Sequence, residues 1–360
     1  MASKIGHSCK FLTNCGGCET SKDLSLKEKS STLLELLQEN LPTKPTVTFH
    51  EPIKKYQYRT RALFRLHIDQ KGLRIGFFEK GSRNLVSIDQ CENSSQRIND
   101  WLKDFSRSNI KSSTKEKYRI LVQEVTTEES DALIFLITPA QKNTLALQSI
   151  TTAISSHPLC RWVGNLKQAE DAPFYTYEYN HDQLHCYTKP GCFQQANKQE
   201  ARKLKALLSK KIEEKSPKKI IDLFSGAGYF SLNLSSPNRE ITGYDNHKSS
   251  IDAANHSANH ADFKTQYFCL DLYGETENIS KQITAEDTLI LDPPRAGLKQ
   301  LTDSILSKSP KHIYYISCDY RSLAEDLSKL SQRYKIESID VFDFLPNTEH
   351  LEILTELTIK

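Results

Sequence analysis

From about residue 190 to the C-terminus, apolar runs of strand length alternate with stretches of helical length, and few folds accept that alternation. A basic helical stretch, NKQEARKLKALLSKKIEEK, leads into strand KIIDLF, a glycine turn and a helix expected near Tyr229. Strand EITGYD follows, then a helix around Ser249 to His260 and strands TQYFCLD and TLILD. A helix near Lys299 to Leu306, strand HIYYIS, a helix expected from Leu323, and strands VFDFL and LEILTELTI complete the chain. Strands joined through helices pair in parallel, so this half predicts a doubly wound, Rossmann-like α/β sheet.

The preceding residues read differently. Cys9, Cys15 and Cys18 crowd the first twenty positions. Ser25 and Glu28 have capping-box spacing, Leu33, Leu34, Leu37 and Leu41 share a face, and Pro42 stops a helix expected over Leu26 to Leu41. Strand patterns then dominate: YRTRALFRLHI, LRIGFFE, NLVSID, YRILVQEV, ALIFLIT and FYTYEY, with helical stretches near Trp101 to Phe105 and Thr144 to Ile154. They predict an α+β domain on an antiparallel sheet. The expected division is a cysteine segment over 1–30, a central α+β domain over 31–190 that includes Cys91, and a Rossmann-like domain over 191–360.

A chain of 360 residues exceeds one ordinary core. Its net charge of +3 permits nucleic-acid binding without requiring it. No apolar run reaches the roughly 18 residues of a membrane span, and MASKIGHSCKFLTNCGGC has no apolar signal core. A cytoplasmic protein without membrane contact is expected. Nine cysteines, an odd number, then point to metal ligands or a nucleophile rather than to disulfides.

Five sites could carry chemistry. In DLFSGAGYF, Asp222 to Phe230, Gly226 and Gly228 let backbone amides approach a ligand. The third glycine of the dinucleotide fingerprint is missing, which disfavours a nicotinamide cofactor. Asp245 ends the next strand, where an acid can accept from ribose hydroxyls. Asp292-Pro293-Pro294-Arg295 follows a buried strand at the end where open α/β sheets bind ligands. Cys318 precedes a helix whose dipole favours a thiolate, although a buried core thiol would show the same pattern. Glu352 interrupts an apolar strand, either aimed inward at a cost or alternating outward.

Taken together, FQQAN at Phe193 to Asn197, DLFSGAGYF, DPPRAG, YISCDYRSLAEDL and PNTEHLE resemble, in order, the motifs of the RNA (uracil-5-)-methyltransferases. The N-terminal C-x5-C-G-G-C and GFFEKGSRNLVSIDQC resemble the family's iron–sulfur branch, which modifies 23S ribosomal RNA. The resemblance implies methylation of uracil C5 with S-adenosylmethionine, on ribosomal RNA or alternatively on transfer RNA or another RNA. It implies Cys318 as nucleophile and Glu352 as proton acceptor. Gln195, Phe224, Tyr229, Asp245 and Asp292 would contact S-adenosylmethionine. Cys9, Cys15, Cys18 and Cys91 would hold a 4Fe–4S cluster, with zinc on the same four thiolates as the structural alternative. No obligate protein partner is evident.

The chemistry explains why both groups are needed. Carbon 5 of uracil is a poor nucleophile until a thiolate adds to carbon 6, and a base must then remove the carbon-5 proton. Four positions depart from the family pattern. Asp319-Tyr320 replaces Asn-Pro after the nucleophile and is expected to raise the Cys318 pKa. Tyr229 replaces a smaller or amide residue, and Asp245 replaces a glutamate. Lys54, Lys55, Arg59, Arg61 and Arg65, interleaved with Tyr56, Tyr58 and Phe64, suit phosphate contact and base stacking. Phe77, Phe78, Lys80 and Arg83 form a second such patch beside Cys91.

Overall fold

A computed structural model describes residues 9–18, 25–42, 44–126, 131–138, 144–178, 185–259 and 264–360. Parts of the expected cysteine segment, including 1–8 and 19–24, lie outside the described residues, as does His260 of an expected helix.

The capping box forms as the spacing predicts: Ser25 accepts from the Glu28 amide, and its own N–H donates to the Glu28 carboxylate at 2.8 Å. The helix it starts is nevertheless split into α1 (Leu26–Lys29) and α2 (Ser31–Asn40) at Ser30, whose hydroxyl bonds back to the Leu26 carbonyl at 2.7 Å. Leu26, Leu33 and Leu37 share a core with Leu323, Leu327 and Leu330, near the other end of the chain. Strand β1 (Val47–His50) pairs in parallel with residues 339–342. Residues 26–42 and 44–50 therefore pack with the C-terminal sheet and not with the central domain in which they were expected from 31 onward.

The central sheet holds β2 (Arg61–Asp69), β3 (Gly72–Phe78), β4 (Leu85–Ser87), β5 (Glu116–Thr126), β6 (Asp131–Thr138) and β7 (Cys160–Gly164) in the order β4-β3-β2-β5-β6-β7. Short strands β8 (Tyr175–Glu178) and β9 (Cys186–Thr188) extend from β5. Pairing is antiparallel except between β6 and β7. Alternation along β2 sends Phe64, Leu66 and Ile68 into a core with Trp101 of α3 (Gln96–Phe105) and Ile150 and Ile154 of α4 (Leu145–Ser155). The opposite face carries Arg61, Leu63, Arg65 and His67. A short α5 (Leu166–Glu170) covers Leu121 and Leu136 on that face.

Helix α6 (Lys198–Lys215), capped by Asn197, leads into the second sheet. Its strands are β10 (Lys219–Leu223), β11 (Glu240–Asp245), β12 (Thr265–Cys269), β13 (Thr288–Leu291), β14 (His312–Ser317), β15 (Tyr334–Phe342) and β16 (Glu352–Ile359). The order is β1-β15-β16-β14-β13-β10-β11-β12, parallel except for β16. Helices α7 (Lys248–Asn259), α8 (Thr276–Gln282), α9 (Leu301–Lys308) and α10 (Tyr320–Leu330) cross between strands. Ile220, Ile221, Leu289, Ile290 and Leu291 are fully buried, as strands covered on both faces must be. Strand order reverses at the β10–β13 pair, which opens a crevice at their C-terminal ends.

Two helix expectations are corrected. No α-helix starts at Tyr229; only a 3-10 turn, Leu232–Leu234, forms. Ser231 and Asn233 spend their side chains on Asp222 at 2.5 Å and Ser209 at 2.7 Å, and Pro237 follows. Helix α10 starts at Tyr320 rather than Leu323, because Asp319 and not Ser322 caps it.

Candidate active site

The C-terminal ends of β10, β11, β13 and β14 and the first residue of β16 surround a cavity of about 570 Å³. Gln195, Phe224, Tyr229, Asp245, Asp292, Cys318 and Glu352 all line it. That volume lies within the range of small-molecule and cofactor sites.

The glycine turn forms one wall. Phe224, Gly226 and Gly228 have φ of 64°, 54° and 75°. A Cβ on Gly228 would also stand 2.7 Å from the Tyr267 ring, so that position is closed by sterics as well as by backbone. Asp245 fastens the turn: its Oδ2 accepts the Gly226 N–H at 2.9 Å and its Oδ1 accepts the His247 N–H at 2.8 Å. Each oxygen retains capacity to accept a further hydrogen bond. Beneath the turn, buried Asp222 accepts from Ser231, and burial pushes its carboxyl up to about 7. Tyr229 contributes only its ring, because its hydroxyl donates at 3.0 Å to Glu178, where Lys205 and Arg202 also converge.

The floor gathers acidic groups. Glu352 is 6% exposed and points inward, which excludes the outward alternative. Burial pushes its carboxyl up to about 8. Asp292 is held well above the carboxylate range by burial first and by the charge of Glu352 second. The Cys318 thiol is pushed up to about 12 by burial, then by Glu352 and Asp292, against the opposing pull of Arg295. A thiolate favoured by the helix dipole was expected; burial and two carboxyls outweigh that dipole. Asp319 is not among the leading causes of that shift. Its carboxylate accepts the Arg321 and Ser322 amides at 3.1 and 3.0 Å, so the extra charge sits on the helix N-terminus.

The motifs do not reveal the brace behind the proline loop. Asp326 accepts from the Leu298 amide at 2.8 Å, the Tyr315 hydroxyl at 2.7 Å and the Thr302 hydroxyl at 3.3 Å. It ties the loop after Arg295 to α10. Only its spacing on α10, three residues after Leu323 and one before Leu327, could have hinted at an inward-facing acid.

Arg61, expected as an RNA contact on the surface, lies in the cavity wall. It is largely buried, its Nε lacks a hydrogen-bond partner, and its guanidinium lies 5.6 Å from the ring of Phe193, which is 63% exposed. Phe64 and Tyr58 are buried and offer no stacking face: Phe64 fills the central core, and the Tyr58 hydroxyl donates to the Pro346 carbonyl at 2.7 Å.

Cys9, Cys15, Cys18 and Cys91 line one small cavity of about 30 Å³ together with Phe11 and Phe77. The Gly16 amide donates to the Phe78 carbonyl at 2.8 Å, which pins the N-terminal segment beside β3. A single zinc ion would need its sulfurs about 3.8 Å apart. Among the described residues, no three His, Cys, Asp or Glu side chains are grouped so as to hold one ion. No helix among them is long and apolar enough to cross a membrane.

Comparison with known proteins agrees with this geometry. The chain is 27% identical over its full length to the 23S rRNA (uracil(1939)-C(5))-methyltransferase RlmD of Shewanella halifaxensis, covering 83% of that protein. It is 33% identical over 181 residues to the 23S rRNA (uracil(747)-C(5))-methyltransferase RlmC of Yersinia pestis, covering 50% of this chain and 47% of that one. The fold resembles the Pyrococcus abyssi tRNA (uracil-54, C5)-methyltransferase crystallised with S-adenosyl-L-homocysteine, with a TM-score of 0.67, 22% identity, and coverage of 93% of this chain and 84% of that one. The tRNA (uracil-5-)-methyltransferase family matches residues 21–358, and this chain, an S-adenosylmethionine-dependent RNA methyltransferase acting at uracil C5, belongs to that family.

Proposed function

We propose that this protein methylates C5 of a uridine in 23S ribosomal RNA through a covalent adduct on Cys318. The observation that carries the reading is the convergence of one thiol, Cys318, and two carboxyls, Asp292 and Glu352, on one cavity. Substrate choice rests on the RlmD relative, whose likeness spans the whole chain.

Gln195, Phe224, Asp245 and Asp292 would hold S-adenosylmethionine, with Tyr229 adding a ring face. When bound, that cofactor supplies an electrophilic methyl group. The Cys318 thiol would give up its proton to solvent and the thiolate add to C6 of a flipped uracil; electron density moves to C5, which takes the methyl group as the sulfonium S–CH3 bond breaks and S-adenosylhomocysteine is left. Glu352 then removes the C5 proton, the C5=C6 bond re-forms, and the C6–S bond breaks to return the thiolate. Asp292 keeps a proton at the floor and can donate it to the uracil edge.

Cys9, Cys15, Cys18 and Cys91 would ligate a 4Fe–4S cluster, which requires four thiolates and wider spacing than one ion. RNA would lie along the open face of β2, β3 and β5. There Arg65 stands directly opposite Arg119, and His67 directly opposite both Lys117 and Arg74. Opposed like charges weaken a sheet. Among the described residues Arg65, Lys117 and Arg119 have no carboxylate partner, whereas Arg74 pairs with Asp69 at 3.0 Å. Phosphates would supply the missing countercharge, and the strand leads back to Arg61 at the cavity.

Incubation with labelled cofactor and unmodified 23S ribosomal RNA tests the reading: it predicts 5-methyluridine at a defined position. Labelling of transfer RNA alone would move the substrate, and label in another nucleoside would refute the reaction.

A further inference from the structure

The cysteine cavity and the segment that delivers Glu352 are joined through two asparagines. Asn93 lies two residues after Cys91, lines the cysteine cavity and is 2% exposed. Its Nδ2 donates to the Cys18 Sγ at 3.2 Å, and its Oδ1 accepts from the Asn347 Nδ2 at 3.1 Å. Asn347 also donates to the Lys55 carbonyl at 2.9 Å. Its φ of 69° lies in the left-handed region, which asparagine tolerates better than most side chains.

Asn347 belongs to the irregular segment between β15 and β16, five residues before Glu352. That segment takes its shape from distant groups: Lys29 reaches Asp343 at 2.5 Å, Asn197 reaches the Phe344 carbonyl at 3.1 Å, and Tyr58 reaches the Pro346 carbonyl. Among these braces, only the one through Asn93 leads to the cysteines.

We propose that Asn93 and Asn347 are positioning residues through which the four-cysteine site sets the placement of Glu352. The proposal rests on the cluster and methyltransferase readings above. An amide has two unlike ends. Sulfur bound to iron accepts hydrogen bonds and donates none, so it selects the NH₂ end of Asn93 and turns Oδ1 toward Asn347. Asn347, held at its side chain and at its left-handed backbone, then fixes where the chain enters β16. A base displaced by about 1 Å from the proton it abstracts loses up to about 10²-fold in rate.

The test uses anaerobically purified holoprotein. Asn347→Gly keeps the left-handed backbone and removes both side-chain bonds. It should leave the visible spectrum and reduction potential of the cluster unchanged, lower kcat about tenfold, keep KM for 23S RNA within about twofold, and raise the fraction of RNA trapped as covalent adduct. Asn93→Leu removes an N–H···S bond and should lower the potential as well as kcat. If that variant does not fold, the near-isosteric Asn93→Asp replaces it and should shift the potential the same way. Wild-type kcat and adduct level in Asn347→Gly, an unshifted potential in the Asn93 variant, or holoprotein without iron would each overturn the proposal. A wild-type enzyme that forms no 5-methyluridine would instead overturn the functional reading, and the potential shift would still be measurable.

Discussion

Asp292 and Glu352 line the same cavity, and after burial the charge of Glu352 is the largest cause that holds the Asp292 carboxyl above its ordinary range. A carboxyl whose folded pKa lies above its unfolded value gives stability that is complete below the unfolded value and is lost as pH rises to the folded one. For Glu352 that window runs from its ordinary 4.5 to about 8. The melting temperature of the cofactor-free protein should fall across this range. Glu352→Gln should flatten the decline and melt several degrees higher at pH 8, as calorimetry against pH would show. An equally steep decline in the variant would mean that Glu352 is not the buried acid responsible.

Asp319 makes a separable prediction. Its charge is spent on two helix amides, so Asp319→Ala should cost about 1 kcal/mol of stability, while Asp319→Asn keeps the cap and costs little. Neither should change the alkylation rate of Cys318 at fixed pH. A faster rate in Asp319→Asn would show that this charge does bear on the thiol.

The sequence shows the doubly wound half almost completely, because buried parallel strands leave unmistakable apolar runs and local turns end them. Sequence reading also brings Cys318, Glu352, Asp245 and Asp292 forward, since each ends, begins or directly follows a strand. It does not reveal what depends on partners far along the chain. Leu33 and Leu37 show an apolar face, but nothing local says that the face belongs with Leu323 and Leu327. Phe64 and Arg65 look alike as members of a basic–aromatic run; the period of the strand buries one and exposes the other. Tyr229 reads as a cofactor contact, and nothing local says that Glu178 takes its hydroxyl and leaves only the ring for the cavity. Asp326 carries no motif, and its three partners are gathered only by folding.

The RNA path proposed along β2, β3 and β5 predicts a salt effect. Single-stranded nucleic acid loses affinity with a slope of about −0.7 per phosphate neutralised. The double variant Arg65→Gln, Arg119→Gln should therefore reduce the slope of log Kobs against log salt by about 1.4 in magnitude, without loss of cofactor affinity. Its melting temperature should hold or rise, because two opposed charges are gone. An unchanged slope would place the RNA elsewhere.

The cysteine site predicts a colour. Anaerobically purified protein should be brown and contain about four iron atoms per chain, the number in a 4Fe–4S cluster. Cys91→Ser should lose most of the iron and loosen the N-terminal segment, seen as faster proteolysis near Gly16. Stoichiometric zinc in a colourless sample would favour the single-ion alternative.

The proposed methylation passes through a covalent bond between sulfur and a pyrimidine ring. The most direct measurement is denaturing gel mobility of protein mixed with cofactor and unmodified 23S ribosomal RNA. Glu352→Gln cannot remove the C5 proton, so it should accumulate a slow-migrating RNA–protein adduct whose RNA already carries the methyl group. Cys318→Ala introduced into that variant should abolish the adduct. An adduct that persists without Cys318, or none with Glu352→Gln while the wild type still methylates, would contradict the mechanism.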